Sequence, residues 1–155
     1  MKIKLKISLI LISLFSMTLQ AEEVTPIGRW QTINEETNKV ESVVSIWQDS
    51  NGKLRGKIEK IFPKPGEDPN PVCDKCKPND HRFNKPVIGM EIMNGFKPAV
   101  PGNKKDWTEG KILDPNNGEI YSCNLTVLKG GEMLEVRGYI GFSWIGRSQT
   151  WVREK

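Results

Sequence analysis

From residue 28 to residue 153 the chain alternates between apolar and polar positions in short bursts, and no stretch holds the spacing of an amphipathic helix. Eight such bursts, punctuated by turn-forming clusters, predict eight strands. The first, 28–34, ends at the polar run Glu35-Glu36-Thr37-Asn38-Lys39. The second, 40–48, sets Val40, Ser42, Val44 and Ile46 on one face and Val43, Ser45 and Trp47 on the other. Ser50-Asn51-Gly52 then offers a hairpin connection, since Asn and Gly tolerate positive φ. The third strand, 53–62, aligns Leu54, Gly56, Ile58 and Phe62 against Lys53, Arg55, Lys57 and Glu59. A fourth is expected over 87–93 and a fifth over 107–113, which runs into the turn Asp114-Pro115-Asn116-Asn117-Gly118. The sixth, 119–128, carries Tyr121, Cys123, Leu125 and Val127 on one face. The seventh, 132–140, turns Leu134, Val136, Gly138 and Ile140 inward, and the eighth covers 147–153. The expected fold is therefore all-β, an eight-stranded antiparallel up-and-down barrel. Such a barrel can fill its interior with side chains or hold one small ligand. Gly56, Gly89 and Gly138 fit this picture, because the strands of a small barrel must bend sharply at its corners.

Two segments interrupt the rhythm. Residues 63–84 hold Pro63, Pro65, Pro69, Pro71 and Pro78, and proline removes the donors that a strand or helix would need. A connection this long is expected to be functional or mobile. Residues 97–106, with Pro98 and Pro101-Gly102, form a second, shorter loop.

The first 21 residues read as a secretory signal rather than as part of the fold. Lys2, Lys4 and Lys6 precede an apolar run over 7–19, and Ala21 supplies a small residue for cleavage. The run is too short to span a bilayer comfortably, so no membrane span is expected after cleavage. Residues 22–155 then form a single domain. Three of the 23 basic residues and none of the 19 acidic ones lie in the signal, leaving 20 against 19, a net charge of +1. That balance removes the electrostatic case for nucleic-acid binding. Export to the periplasm or beyond also permits cysteine pairing.

Gly28-Arg29-Trp30, at the head of the first strand, resembles the Gly-x-Trp signature of lipocalins and related calycin barrels. The resemblance implies that Trp30 closes one barrel end beneath an arginine of the last strand, with Arg147 and Arg153 as the candidates. A guanidinium over an indole face is a favourable cation–π pair. A second resemblance covers nearly the whole of 22–155. It rests on Gly28-Arg29-Trp30, Gly52-Lys53-Leu54-Arg55-Gly56-Lys57-Ile58, Cys73-Asp74-Lys75-Cys76 and Pro86-Val87-Ile88-Gly89. Next in order come Trp107-Thr108-Glu109-Gly110-Lys111-Ile112-Leu113-Asp114-Pro115, Asn117-Gly118-Glu119-Ile120-Tyr121, Arg137-Gly138-Tyr139-Ile140-Gly141 and Gly146-Arg147-Ser148-Gln149-Thr150-Trp151. The ordered set is similar to a family of small exported bacterial proteins catalogued as domain of unknown function 2147. That resemblance implies a lipocalin-like barrel in the bacterial envelope and brings no catalytic residues with it.

The sharpest chemical motif is Cys73-x-x-Cys76. A redox dithiol would sit at a helix N-terminus, and prolines and charges surround this pair instead. A local structural disulfide is the expectation, with a redox site and a zinc set of Cys73, Cys76, Cys123 and His81 as alternatives. Cys123 shares a face with Leu125 and Val127, as a buried, unreactive thiol would. His81 is the only histidine and lies in the Pro-rich loop, and no Gly-x-Ser-x-Gly is present. No enzyme activity, cofactor or metal is therefore expected. The expected partner is a small, hydrophobic or amphiphilic ligand, with Trp47, Tyr121, Arg137 and Tyr139 as candidate contacts and Gly28, Trp30, Arg147 and Arg153 as structural residues. Alternation places Arg137 and Tyr139 opposite Leu134 and Val136, hence outside, and a one-residue slip would turn them inward. The alternative to a ligand carrier is an envelope module with a packed barrel, whose loops contact another protein.

Overall fold

The structure, a computed structural model, describes residues 24–155; the expected signal peptide lies outside the described residues. Eight strands succeed one another in chain order: β1 (Gly28–Ile33), β2 (Val40–Gln48), β3 (Leu54–Ile61), β4 (Glu91–Pro98), β5 (Asp106–Asp114), β6 (Glu119–Leu128), β7 (Met133–Tyr139) and β8 (Gly146–Arg153). Each pairs antiparallel with its neighbour in sequence. The barrel closes through β1 and β8, where Trp30 stands opposite Arg153 and Gln31 opposite Val152. The eight-stranded, lipocalin-like barrel expected from the alternation is the fold that forms.

The turns are built by the side chains that announced them. Asp49 Oδ1 accepts from the amides of Asn51 and Lys53, and Gly52 supplies a φ of 74°. Asp114 Oδ1 takes the amide of Asn116 in the β5–β6 turn, and Asn34 Oδ1 takes those of Glu36 and Thr37 in the β1–β2 turn. These short polar side chains do locally what a ladder partner would do in a strand.

Four expectations about strand bounds, corners and faces are corrected. The fourth strand runs over Glu91–Pro98 rather than 87–93. Its expected first residues are used elsewhere: the Val87 amide donates to the Pro71 carbonyl, and the Gly89 amide to that of Ile58. Gly89 is thus a turn residue at φ 84°, not a barrel corner. Asn94-Gly95 forms a bulge inside β4, with Gly95 at φ 80° and a register shift against β3. In β3, a second bulge skips Glu59 between Ile58 and Lys60. The bulge shifts the alternation by one, so Ile61 pairs with Ser42 and Phe62 is left 39% exposed. Ile140, expected to point inward, lies beyond the end of β7 and is 69% exposed.

The Pro-rich segment between β3 and β4 is a folded strap. Val72 and Pro86 form a bridge, and the Cys73 and Asn84 amides donate to the Lys85 and Cys73 carbonyls respectively. Arg82, itself buried, binds Asp80 through Nε and Nη2 at 2.9 and 2.7 Å and reaches the Glu91 carbonyl of β4. The Arg82 guanidinium holds the Asp80 carboxyl well below the usual carboxylate range.

Candidate functional site

One end of the barrel is solid. Trp30 is fully buried, and its indole Nε1 donates to the Pro26 carbonyl at 2.7 Å. The Arg153 guanidinium lies 4.2 Å from the centre of the Trp30 ring. It donates to the carbonyls of Thr25, Ile27 and Gly131, stitching the segment just before β1, the β6–β7 turn and the last strand together. Gly28, at φ 132°, leaves room for this: a Cβ there would stand 2.6 Å from Arg153 Nη1. Leu54, Met93, Phe96, Trp107, Leu125 and Leu134 belong to the same buried core. Gly110 faces the Phe96 ring so closely that any side chain would collide with it. Cys123 is buried here as a free thiol, and desolvation pushes its pKa up to about 12, so it is neither nucleophile nor ligand at neutral pH.

The other end is hollow. A cavity of about 840 Å³ opens between the ends of the strands and the strap. Val44, Ile58, Ile92, Val136 and Trp151 give it apolar walls. Thr32, Ser42, Tyr121 and Gln149 add polar atoms. The Thr32 and Ser42 hydroxyls bond each other at 2.8 Å, and the Tyr121 hydroxyl accepts from Asn117 Nδ2 at 3.0 Å. Charges of both signs stand around the mouth: Glu41, Lys64, Asp68, Lys75, Asp114 and Arg147. Arg147 binds Glu35, which ties the start of β8 to the β1–β2 turn and raises the guanidinium pKa further.

The strap forms one wall of this mouth, with Pro63, Lys64, Glu67, Pro71 and Val72 among the lining residues. It is seated against the β5–β6 turn. Gly118, at φ 74°, meets the Lys75 carbonyl where any Cβ would clash, and Lys77 pairs with Glu119 at 3.7 Å. At the seat, Cys73 and Cys76 form the expected disulfide, with both residues buried. Their sulfurs are therefore not thiolates available to a metal, and the zinc set is not assembled. His81, whose side chain is 88% exposed, is not among the cavity-lining residues.

Of the four candidate ligand contacts, Tyr121 lines the cavity, while Trp47, Arg137 and Tyr139 do not. Trp47 alternates with inward Ile46 and pairs with Arg55 of β3. Arg137 donates from Nε to the Ser143 carbonyl at 2.8 Å and from Nη1 to the Ser148 hydroxyl at 3.2 Å. Tyr139 falls on the same face, beside Gly146. Of the two candidate arginines, Arg153 takes the position over Trp30 and Arg147 takes the open rim. The sequence pattern did not single out Thr32, Ser42 and Gln149 as cavity residues, although each stands two positions from an inward residue, Trp30, Val44 and Trp151, and so shares its face.

Comparison with known proteins places this architecture. Residues 28–153 match the family described as uncharacterized protein conserved in bacteria (DUF2147), and the chain belongs to that family. No curated protein sequence matches it. Among solved structures, it is similar to HP1028 from the human pathogen Helicobacter pylori, described as belonging to the lipocalin family. The TM-score is 0.68 at 21% identity, over 86% of this chain and 85% of that one. At that identity the likeness concerns the fold. No helix among the described residues is long and apolar enough to cross a membrane. The buried disulfide and the barrel are consistent with an exported protein.

Proposed function

We propose that this protein is a periplasmic or secreted carrier that binds one small amphiphilic molecule in the open half of its barrel. The observation that carries this reading is the cavity of about 840 Å³, with an apolar interior and a charged mouth. Its size falls within the ordinary range for small-molecule sites, about 300–1,000 Å³. The apolar part of a ligand would lie against Val44, Ile92, Val136 and Trp151, and its polar end would meet Tyr121, Gln149 and the rim. Binding rather than catalysis is the reading, because the chain's one histidine stands outside the cavity and its one free thiol is buried in the solid end. The open end favours this reading over a barrel packed throughout.

Native mass spectrometry of the mature protein, purified from its own envelope, tests this reading. A discrete excess mass that disappears on denaturation is expected, together with its loss from Val44→Phe, which fills part of the cavity. A bare polypeptide mass, under conditions that preserve a control lipocalin complex, would sink the carrier reading.

A further inference from the structure

The four most exposed large hydrophobic residues of the described chain lie in one six-residue connection. Ile140, Phe142, Trp144 and Ile145 are 69, 60, 72 and 64% exposed, and all four belong to the β7–β8 hairpin at the open end. Scattered surface apolar residues need no explanation, whereas four gathered in one tip do. No charged side chain occurs from Gly138 to Gly146. The tip is also held in shape. The Ile145 amide donates to the Phe142 carbonyl at 3.0 Å, Arg137 grips the Ser143 carbonyl, and the Phe142 and Trp144 rings stack 4.4 Å apart at 12°. Ordering the rings beforehand lowers the entropy cost of using them.

We propose that residues 140–145 seat the protein on a phospholipid bilayer, inserting the Phe142–Trp144 pair and the flanking isoleucines into the interfacial layer. A projecting turn with an uncharged tip suits a soft apolar medium. Tryptophan is enriched at the lipid–water boundary because its body is apolar and its N–H is polar. Gly138 and Arg147, on either side of the hairpin, both line the cavity, so seating would bring the mouth to the membrane surface. An apolar ligand could then pass between bilayer and barrel without crossing water. The seating itself does not depend on the cavity holding a ligand.

The test uses the mature chain and sedimentation with vesicles of phosphatidylethanolamine and phosphatidylglycerol, and separately of phosphatidylcholine. The wild type is expected to sediment with both, with a blue shift in tryptophan emission, and to stay bound in high salt because the contact is apolar. Phe142→Ser with Trp144→Ser should lower partitioning at least about tenfold, with an unchanged melting temperature because both side chains are exposed. Val44→Phe should keep wild-type partitioning even where it loses the ligand, which separates this proposal from the carrier reading. The proposal is overturned if the wild type stays in the supernatant, if the double variant binds equally, or if salt abolishes binding. It is also overturned if the wild type is instead a dimer that the double variant dissolves.

Discussion

At one end of the barrel Trp30 is fully enclosed, its ring capped by Arg153 and its N–H satisfied by Pro26. At the other end Trp151 stands at the edge of an open space and shares its walls with Val44 and Val136. The two halves use the same strands and the same alternation of inward residues. The difference lies in the connections beyond the strand ends. At the Trp30 end the segment just before β1 and the β6–β7 turn are tied over the opening by Arg153, and large side chains meet beneath them. At the other end the long strap stands as one wall of the opening, its Lys75 carbonyl set against Gly118 and its Lys77 paired with Glu119. A barrel of this strand number can thus be closed at one end and open at the other, with the loops setting the balance.

The largest test of this contrast compares two truncations. Trp30→Ala should cost about 3–5 kcal/mol, the range for an aromatic removed from a packed core. Val136→Ala, on the cavity wall, should cost about 1–2 kcal/mol, because part of its surroundings is already empty. Guanidinium unfolding measures both, and equal losses would mean that the open half is as tightly packed as the closed one. A second comparison uses two arginines of β8. Arg153→Met should cost about 2–3 kcal/mol, since it gives up a cation–π contact and leaves the part-buried carbonyls of Thr25 and Gly131 without this donor. Arg147→Met should leave the unfolding midpoint where it was, since its ion pair with Glu35 is exposed to solvent. A midpoint that moves as much for Arg147→Met as for Arg153→Met would erase the distinction between the ends.

The smallest effect concerns the strap and acid. The folded-state pKa of Asp80 is depressed by Arg82, so the contribution of the pair is fully present above the unfolded value of 3.8. It is lost as the pH falls from there through the folded value. The wild type should therefore show strap cleavage by pepsin that rises steeply as the pH drops below about 4. Asp80→Asn should cost about 1–2 kcal/mol at neutral pH and show a flatter dependence. A wild-type profile as flat as the variant's would remove the pair from any account of how the strap is held.

The closed end was largely legible in the chain. Gly28-Arg29-Trp30 carried the resemblance that implied an arginine of the last strand over Trp30, leaving only the choice between Arg147 and Arg153, and β6 alternated cleanly enough to place Tyr121 inside. The open end was less so, for three physical reasons. Bulges at Glu59 and Gly95 change which side chains point inward, and a period-two pattern carries straight past an inserted residue. Val87 and Met90 are apolar because the strap buries them, which makes residues 87–90 look like the start of a strand. And the open cavity is lined by polar as well as apolar residues, so Thr32, Ser42 and Gln149 carry no apolar signal that would single them out.

The seam between β1 and β8 has a consequence for how the molecule comes into being. Every other pairing joins consecutive strands, and all but β3–β4, which the strap separates, can zip as hairpins while their surroundings are still unformed. The seam alone needs both extremes of the domain, with Trp30 set against Arg153. Nucleation can therefore begin in any hairpin, but ring closure must wait until the last strand is delivered. Until then β1 and β8 are raw edges able to recruit another chain. If the protein crosses a membrane as an unfolded thread, the vulnerable interval is the time between the emergence of β1 and the arrival of Arg153. A stalled or truncated chain lacking only its final strand would be the aggregation-prone form.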